Sequence, residues 1–241
     1  MRSSLHRGFR GQDAPTRAAF KRLALPLSVA LLSLAAPASA HEGGHGPVVR
    51  DPDAPVRVVV FGDSLAAGYG LLPAEGFSAR LQDWADANYD REIVIENAGV
   101  SGDTTAGGLA RLDWTLGADL PDAVLLELGA NDFLRGVDPA ISRTNLTVMV
   151  DRLRAADIEV LLAGMLAPRN MGDEYVRAFE AIYTDLAARY DIVFEPFFLE
   201  GVAGVPSLNQ ADGIHPNADG VDRMIEHIAP SMRALIDRIG R

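Results

Sequence analysis

The sequence predicts an α/β protein, a single three-layer α/β/α domain built on a parallel sheet. Three observations carry that expectation. Five short apolar runs recur along the chain, segments with helical spacing separate them, and neither an internal repeat nor a linker interrupts the series after Pro55. Strands that alternate with helices form right-handed βαβ units, and the helices then cover both faces of the sheet.

The strands are expected at residues 56–61, 93–97, 123–128, 158–163 and 192–195. The first, "VRVVVF", is apolar almost throughout, as a strand buried on both faces requires. Helices are expected over residues 77–88, 104–116, 139–156 and 174–189, with a last one over 217–239. In such domains function gathers in the loops that follow the strands. Here those loops read "GDSLAAGYG" from Gly62, "AGVSGDTTAGG" from Ala98, "GANDFLRGVDP" from Gly129 and "GMLAPRNMGD" from Gly164. The segment after the fifth strand ends in "DGIHPN", Asp212 to Asn217.

The chain has 241 residues, room for one domain with a substantial core. At 48% hydrophobic and 23% charged it is globular in composition. It has no cysteine, which excludes a disulfide framework, a thiol nucleophile and a cysteine-based zinc site.

Residues 1–40 differ from the rest. They hold six basic residues and one acid, Asp13, followed by the apolar stretch "LALPLSVALLSLAA" and then "PASA". That order is the order of a secretory signal peptide, with cleavage after Ala40 and export to the periplasm or beyond. The apolar stretch is short for a membrane span and contains Pro26, so no stable anchor is expected after cleavage. Residues 41–55, rich in Gly and Pro, are expected to form a flexible leader ahead of the folded domain at 56–241. His41, Glu42 and His45 in the leader read as a solvated tail, since a floppy metal site must be ordered at entropic cost.

Without residues 1–40 the chain keeps 16 basic residues against 32 acidic ones and no lysine. A surface of that sign repels nucleic acid and anionic lipid. The missing lysine excludes Schiff-base and Ser-Lys chemistry.

Beyond the leader only two histidines remain, His215 and His227. His227 lies within the last helical pattern and reads as a helix residue. His215 lies in a turn, three residues after Asp212. Across a turn that spacing lets a carboxylate reach one imidazole nitrogen while the other faces outward, which is two-thirds of a nucleophilic triad. Ser64, at the carboxyl end of the first strand, supplies a hydroxyl on the same rim. Its simpler role would be a helix cap. Acyl transfer also needs donors for a developing oxyanion. Candidates are the Ser64 N–H at the strand-to-helix junction, the Gly102 N–H in "SGDT" and the Asn131 amide in "GAND", although Gly and Asn also favour ordinary turns. Leu134, Met165, Leu166 and Met171 are candidates to line an acyl pocket, or simply core packing at strand ends.

"GDS" at Gly62–Ser64, the glycine of "SGDT", "GAND" and "DGIHPN" together resemble the four blocks of the SGNH hydrolases, also called GDSL esterases. They occur in the family's order. The longer stretches "NAGVSGDTTAGGLARL", "LELGANDFLRG" and "ADGIHPN" are similar to its bacterial branch of multifunctional thioesterase, protease and lysophospholipase enzymes, often called arylesterases. The resemblance implies a flavodoxin-like fold on a five-stranded parallel sheet. It implies Ser64 as nucleophile, His215 as base and Asp212 as its orienting partner, with Ser64, Gly102 and Asn131 forming the oxyanion hole. The implied partners are small esters, thioesters or lysophospholipids, with no metal and no cofactor, and a monomer is expected. Two departures bear on acyl preference: Ala130 stands where the family often has Gly, and "APRNMG" replaces a loop similar to "LPANYG".

The G-x-S-x-G elbow of the larger α/β-hydrolase fold is absent around Ser64. Three other readings compete. A carbohydrate acetyl esterase of the same fold predicts a polar, aromatic-lined groove. A non-catalytic domain would use the Ser64 loop only to hold an anion. A metal hydrolase needs more ligands than one rim histidine.

Overall fold

A computed structural model describes residues 54–239. The expected signal segment, and the expected leader up to residue 53, lie outside the described residues. Five strands form one sheet: β1 (Val56–Gly62), β2 (Ile93–Gly99), β3 (Ala123–Glu127), β4 (Glu159–Ala163) and β5 (Val193–Glu195). Every neighbouring pair is parallel and the order is β2-β1-β3-β4-β5. The helices are α1 (Ser64–Ala67), α2 (Phe77–Asn88), α3 (Thr105–Leu116), α4 (Ala130–Leu134), α5 (Pro139–Ala155), α6 (Asp173–Tyr190) and α7 (Ala218–Ile239). The strands and long helices fall where the sequence expects them, within a residue or two at their ends. Two short helices, α1 and α4, are additions.

The core forms because the inner strands offer apolar side chains to both faces. Val58, Val60, Val124, Leu125, Leu126, Val160, Leu161 and Leu162 are all at 0% exposure, and burying one such side chain is worth roughly 1.5–3 kcal/mol. On one face α2 packs against α7, which also lies over β4 and β5. On the other, α5 packs against both α3 and α6. Met224, Ile225, Ile228, Met232, Leu235 and Ile236 of α7 recur at three- and four-residue spacing and are all buried. β2 differs from the expected buried strand. It is an edge strand, only its Ile93 is fully buried, and Glu96 pairs with Arg57 on β1 at 2.9 Å.

From β1 the chain crosses to β2 on one side and later to β3 on the other. The crevice where connections diverge opens at the carboxyl ends of these strands. All the loops singled out by the sequence reach that rim.

Candidate active site

β1 ends at Gly62, where nothing larger than glycine fits. An added Cβ would lie 2.3 Å from a carboxylate oxygen of Glu127 on β3. The chain then turns sharply into α1. Asp63, not Ser64, caps that helix: its Oδ1 accepts the Leu65 N–H at 3.0 Å. The Ser64 side chain is thereby left for another partner. His215 Nε2 is 2.9 Å from Ser64 Oγ, and His215 Nδ1 is 2.7 Å from Asp212 Oδ2. With Nδ1–H donated to the carboxylate, Nε2 is an acceptor for the serine proton. A longer contact of 3.4 Å joins Ser64 Oγ to Asp63 Oδ1.

Asp212 is well placed for its partner. Its Oδ1 accepts the N–H groups of Ile214 and His215 at 3.0 and 3.1 Å, which folds the turn around its own carboxylate. Those bonds, and first of all the one to the His215 ring, hold the Asp212 carboxyl down at about 2.

Asn131 sits on α4 and reaches toward the same point. Its Nδ2 donates to Asp63 Oδ2 at 2.9 Å. The α4 turn is anchored from below: buried Asp132 accepts from Thr105 N and Oγ1 and from Ser142 Oγ, at 2.8, 2.5 and 2.7 Å. Gly102 is the third residue of a turn closed by Asp103 N–H to Val100 O at 3.0 Å. Its φ of +83° is the left-handed value that a type II turn needs there. In such a turn the Gly102 N–H is not used by the turn itself. As the first residue of α1, Ser64 likewise has an N–H with no partner inside the helix.

Ser64, Gly102, Asn131 and His215 all border one cleft of about 370 Å³. Its walls are mainly apolar. Leu134, Met165 and Leu166 line it, as the sequence suggests, with Tyr69, Pro168, Phe197, Leu199 and Ile214 as further members. Leu134, Leu166 and Ile214 are 58%, 41% and 53% exposed, so these are apolar side chains held open to a ligand rather than core. Met171 is a correction. It packs against the core, in a separate groove beside Pro139 and Tyr175. The 3₁₀ turn Arg169–Met171 lies between the cleft residues Met165, Leu166 and Pro168 and the Met171 side chain, which ends on the core side of that turn.

Two buried carboxyl groups lie beneath the Ser64 turn. Glu127 is at 0% exposure and its Oε2 accepts the Asp63 N–H at 3.1 Å. Burial, with the Asp63 carboxylate alongside, pushes the Glu127 carboxyl well above its ordinary range, and burial raises Asp63 as well. A single acid inside the apolar run "VLLELG" was the signal for Glu127, and the sequence reading passed over it. His227 is engaged elsewhere. Its Nε2 is 2.9 Å from Glu195 Oε1, and Ser231 Oγ donates to Glu195 Oε2 at 2.8 Å. There the carboxylate sits between histidine and serine, so the imidazole cannot take the serine proton. Among the described residues no cluster of three or more His, Cys, Asp or Glu side chains could hold a metal, and no helix is long and apolar enough to cross a membrane.

Fold and rim together place the chain in the class of α/β serine ester hydrolases. Residues 60–223 match the GDSL-like lipase/acylhydrolase family, and the chain belongs to that family. It is 44% identical over 180 residues to the Esterase TesA of Pseudomonas aeruginosa, covering 74% of this chain and 89% of that one. To the Thioesterase 1/protease 1/lysophospholipase L1 of Escherichia coli it is 38% identical over 180 residues, covering 75% and 85%. Among solved structures, the crystal structure of TesA superposes with a TM-score of 0.70 at 42% identity, covering 76% of this chain and 99% of the other. The psychrotrophic esterase EstA from Pseudoalteromonas sp., in a form inhibited by monoethylphosphonate, superposes at 0.71 with 35% identity, covering 75% and 98%.

Proposed function

We propose that the protein is an exported serine esterase and thioesterase that cleaves aryl esters, acyl thioesters and lysophospholipids through an acyl-enzyme. The observation that carries the mechanism is the 2.9 Å approach of His215 Nε2 to Ser64 Oγ, with Asp212 behind it at 2.7 Å. Ser64 Oγ attacks the carbonyl carbon while His215 takes its proton. The carbonyl oxygen becomes an oxyanion, received by the Ser64 and Gly102 N–H groups and the free N–H of Asn131. His215 then donates the proton to the departing alcohol or thiol. A water molecule, deprotonated by the same imidazole, releases the acid and restores Ser64.

The apolar cleft supports acyl chains as the preferred group. A carbohydrate esterase would need polar as well as aromatic walls; Tyr69 and Phe197 supply rings, but Leu134, Met165, Leu166, Leu199 and Ile214 leave the wall mainly apolar. Export rests on the basic, then apolar, then small-residue order of residues 1–40.

The test is Ser64→Ala. It should leave the fold intact and reduce hydrolysis of p-nitrophenyl esters by several orders of magnitude. A fluorophosphonate should label Ser64 alone, and EDTA should change nothing. Near-normal turnover in the folded variant would overturn the mechanism. N-terminal sequencing of protein from a native-like host should begin at His41, and a product that retains residues 23–36 would overturn export.

A further inference from the structure

The turn that carries Asp212 and His215 stands away from the sheet, and residues 211–214 are exposed. Yet its imidazole must be held closely, because misplacement by about 1 Å can cost a hundredfold in rate. The two ends of the turn are tied together by the Asn209–Pro216 bridge and by Gln210 N–H to His215 O at 2.8 Å. The tie to the rest of the molecule comes from the Gln210 side chain. Its Nε2 donates to Pro216 O at 2.9 Å and to Tyr69 O at 2.7 Å, which joins residues 141 apart. The fit is close: a Cβ on Gly70 would lie 2.2 Å from Gln210 Oε1. The Tyr69 ring in turn lies on the His215 imidazole, with centroids 4.6 Å apart and planes tilted by 38°.

We infer that Tyr69 and Gln210 are positioning residues that together clamp the His215 imidazole against Ser64, Gln210 by fixing the Tyr69 backbone and Tyr69 by the face of its ring. The inference rests on the reading of Ser64 and His215 as nucleophile and base. When His215 takes the serine proton it becomes a cation. A cation within about 6 Å of an aromatic face is attracted to it. The contact is therefore stronger after proton transfer than before, and an interaction of that kind raises kcat rather than substrate affinity.

The experiment measures kcat and KM for p-nitrophenyl acetate, whose acyl group is too small to need the cleft walls, and the rate of fluorophosphonate labelling. The variants are Tyr69→Leu, Tyr69→Phe, Gln210→Ala and Gln210→Glu, with Ser64→Ala as the control. Tyr69→Leu and both Gln210 variants should lower kcat by about tenfold or more and slow labelling in proportion, with KM and melting temperature little changed. Tyr69→Phe, which keeps the ring and lacks the hydroxyl, should restore most of what Tyr69→Leu loses. Gln210→Glu covers the case in which Gln210→Ala folds poorly, since it keeps the size while it removes the donors and sets a carboxylate against the two carbonyl oxygens, so its loss should be at least as large.

Full kcat and labelling in Tyr69→Leu, beside an inactive Ser64→Ala, would overturn the clamp and leave the nucleophile standing. A loss confined to KM, or an equal loss in Tyr69→Phe, would also overturn it. Turnover by Ser64→Ala would bring down the underlying mechanism instead.

Discussion

Asn131 gives one of its two amide hydrogens to Asp63 Oδ2, at 2.9 Å. The bond fixes the plane of the amide, and the second N–H is left for the cleft that both residues border. Asp63 is therefore more than the cap of α1. Its two oxygens serve separate ends, one the helix that presents Ser64 and the other the side chain opposite. Asn131→Ala should lower kcat about a hundred- to a thousandfold, or roughly 2.7–4 kcal/mol, with little change in KM. A lowered melting temperature with an intact kcat per folded molecule would instead assign Asn131 to closing the turn. Both quantities can be read on one preparation.

Asp212→Asn tests the partner of His215. An amide at that place can donate to Nδ1 and so favour the tautomer with Nε2–H, which cannot accept from Ser64. The expected loss in kcat is about a thousand- to ten-thousandfold. The Asp212 carboxyl, held at about 2, stays ionised across the range where esterases are assayed. It should therefore add no step of its own to a kcat/KM profile in that range. A step in that range that disappears in Asp212→Asn would contradict this.

The two histidines separate cleanly. His227→Ala should keep esterase activity and its pH profile, yet lower the melting temperature. Removing the imidazole leaves Glu195, at 3% exposure, with only Ser231 on its carboxylate. His215→Ala should do the reverse. Loss of activity in the His227 variant with retention in the His215 variant would mean the base has been misassigned.

Glu127 makes stability depend on pH. The folded chain holds the Glu127 proton more tightly than the unfolded chain does. The stability linked to that proton is complete below about pH 4 and is lost as pH rises through the raised folded value. Glu127→Gln keeps an acceptor for the Asp63 N–H and has no proton to lose. Urea midpoints from pH 5 to pH 9 should fall less steeply in the variant than in the parent. Parallel curves would show that Glu127 ionises as freely folded as unfolded.

The strands and long helices were legible because their signals are local. Apolar runs and helical periods survive in the chain without any knowledge of neighbours. Ser64, Gly102, Asn131, Asp212 and His215 were legible for another reason: each is a polar residue or a glycine in a loop after a strand, and such loops share one rim. What the sequence hid depends on contacts between distant segments. Asp63 caps α1, a local role, but its second bond to Asn131 spans 68 positions. Tyr69 and Gln210 are ordinary loop residues until the first and last loops meet. Met171 failed because the 3₁₀ turn Arg169–Met171 separates it from the strand end, and the period of a strand end says nothing about a turn beyond it.

Ser64 and His215 are 151 positions apart, and that separation sets an order of events during synthesis. β1 is made early, and β2 and β3 follow it in the chain. The turn with Asp212 and His215 comes near the end, braced by α7. At about 5–20 residues per second, roughly 8–30 seconds separate the synthesis of the serine from that of the imidazole. Under the proposed mechanism, an unfinished chain that stops short of His215 lacks its base, and hydrolytic power waits for the turn just ahead of the last helix.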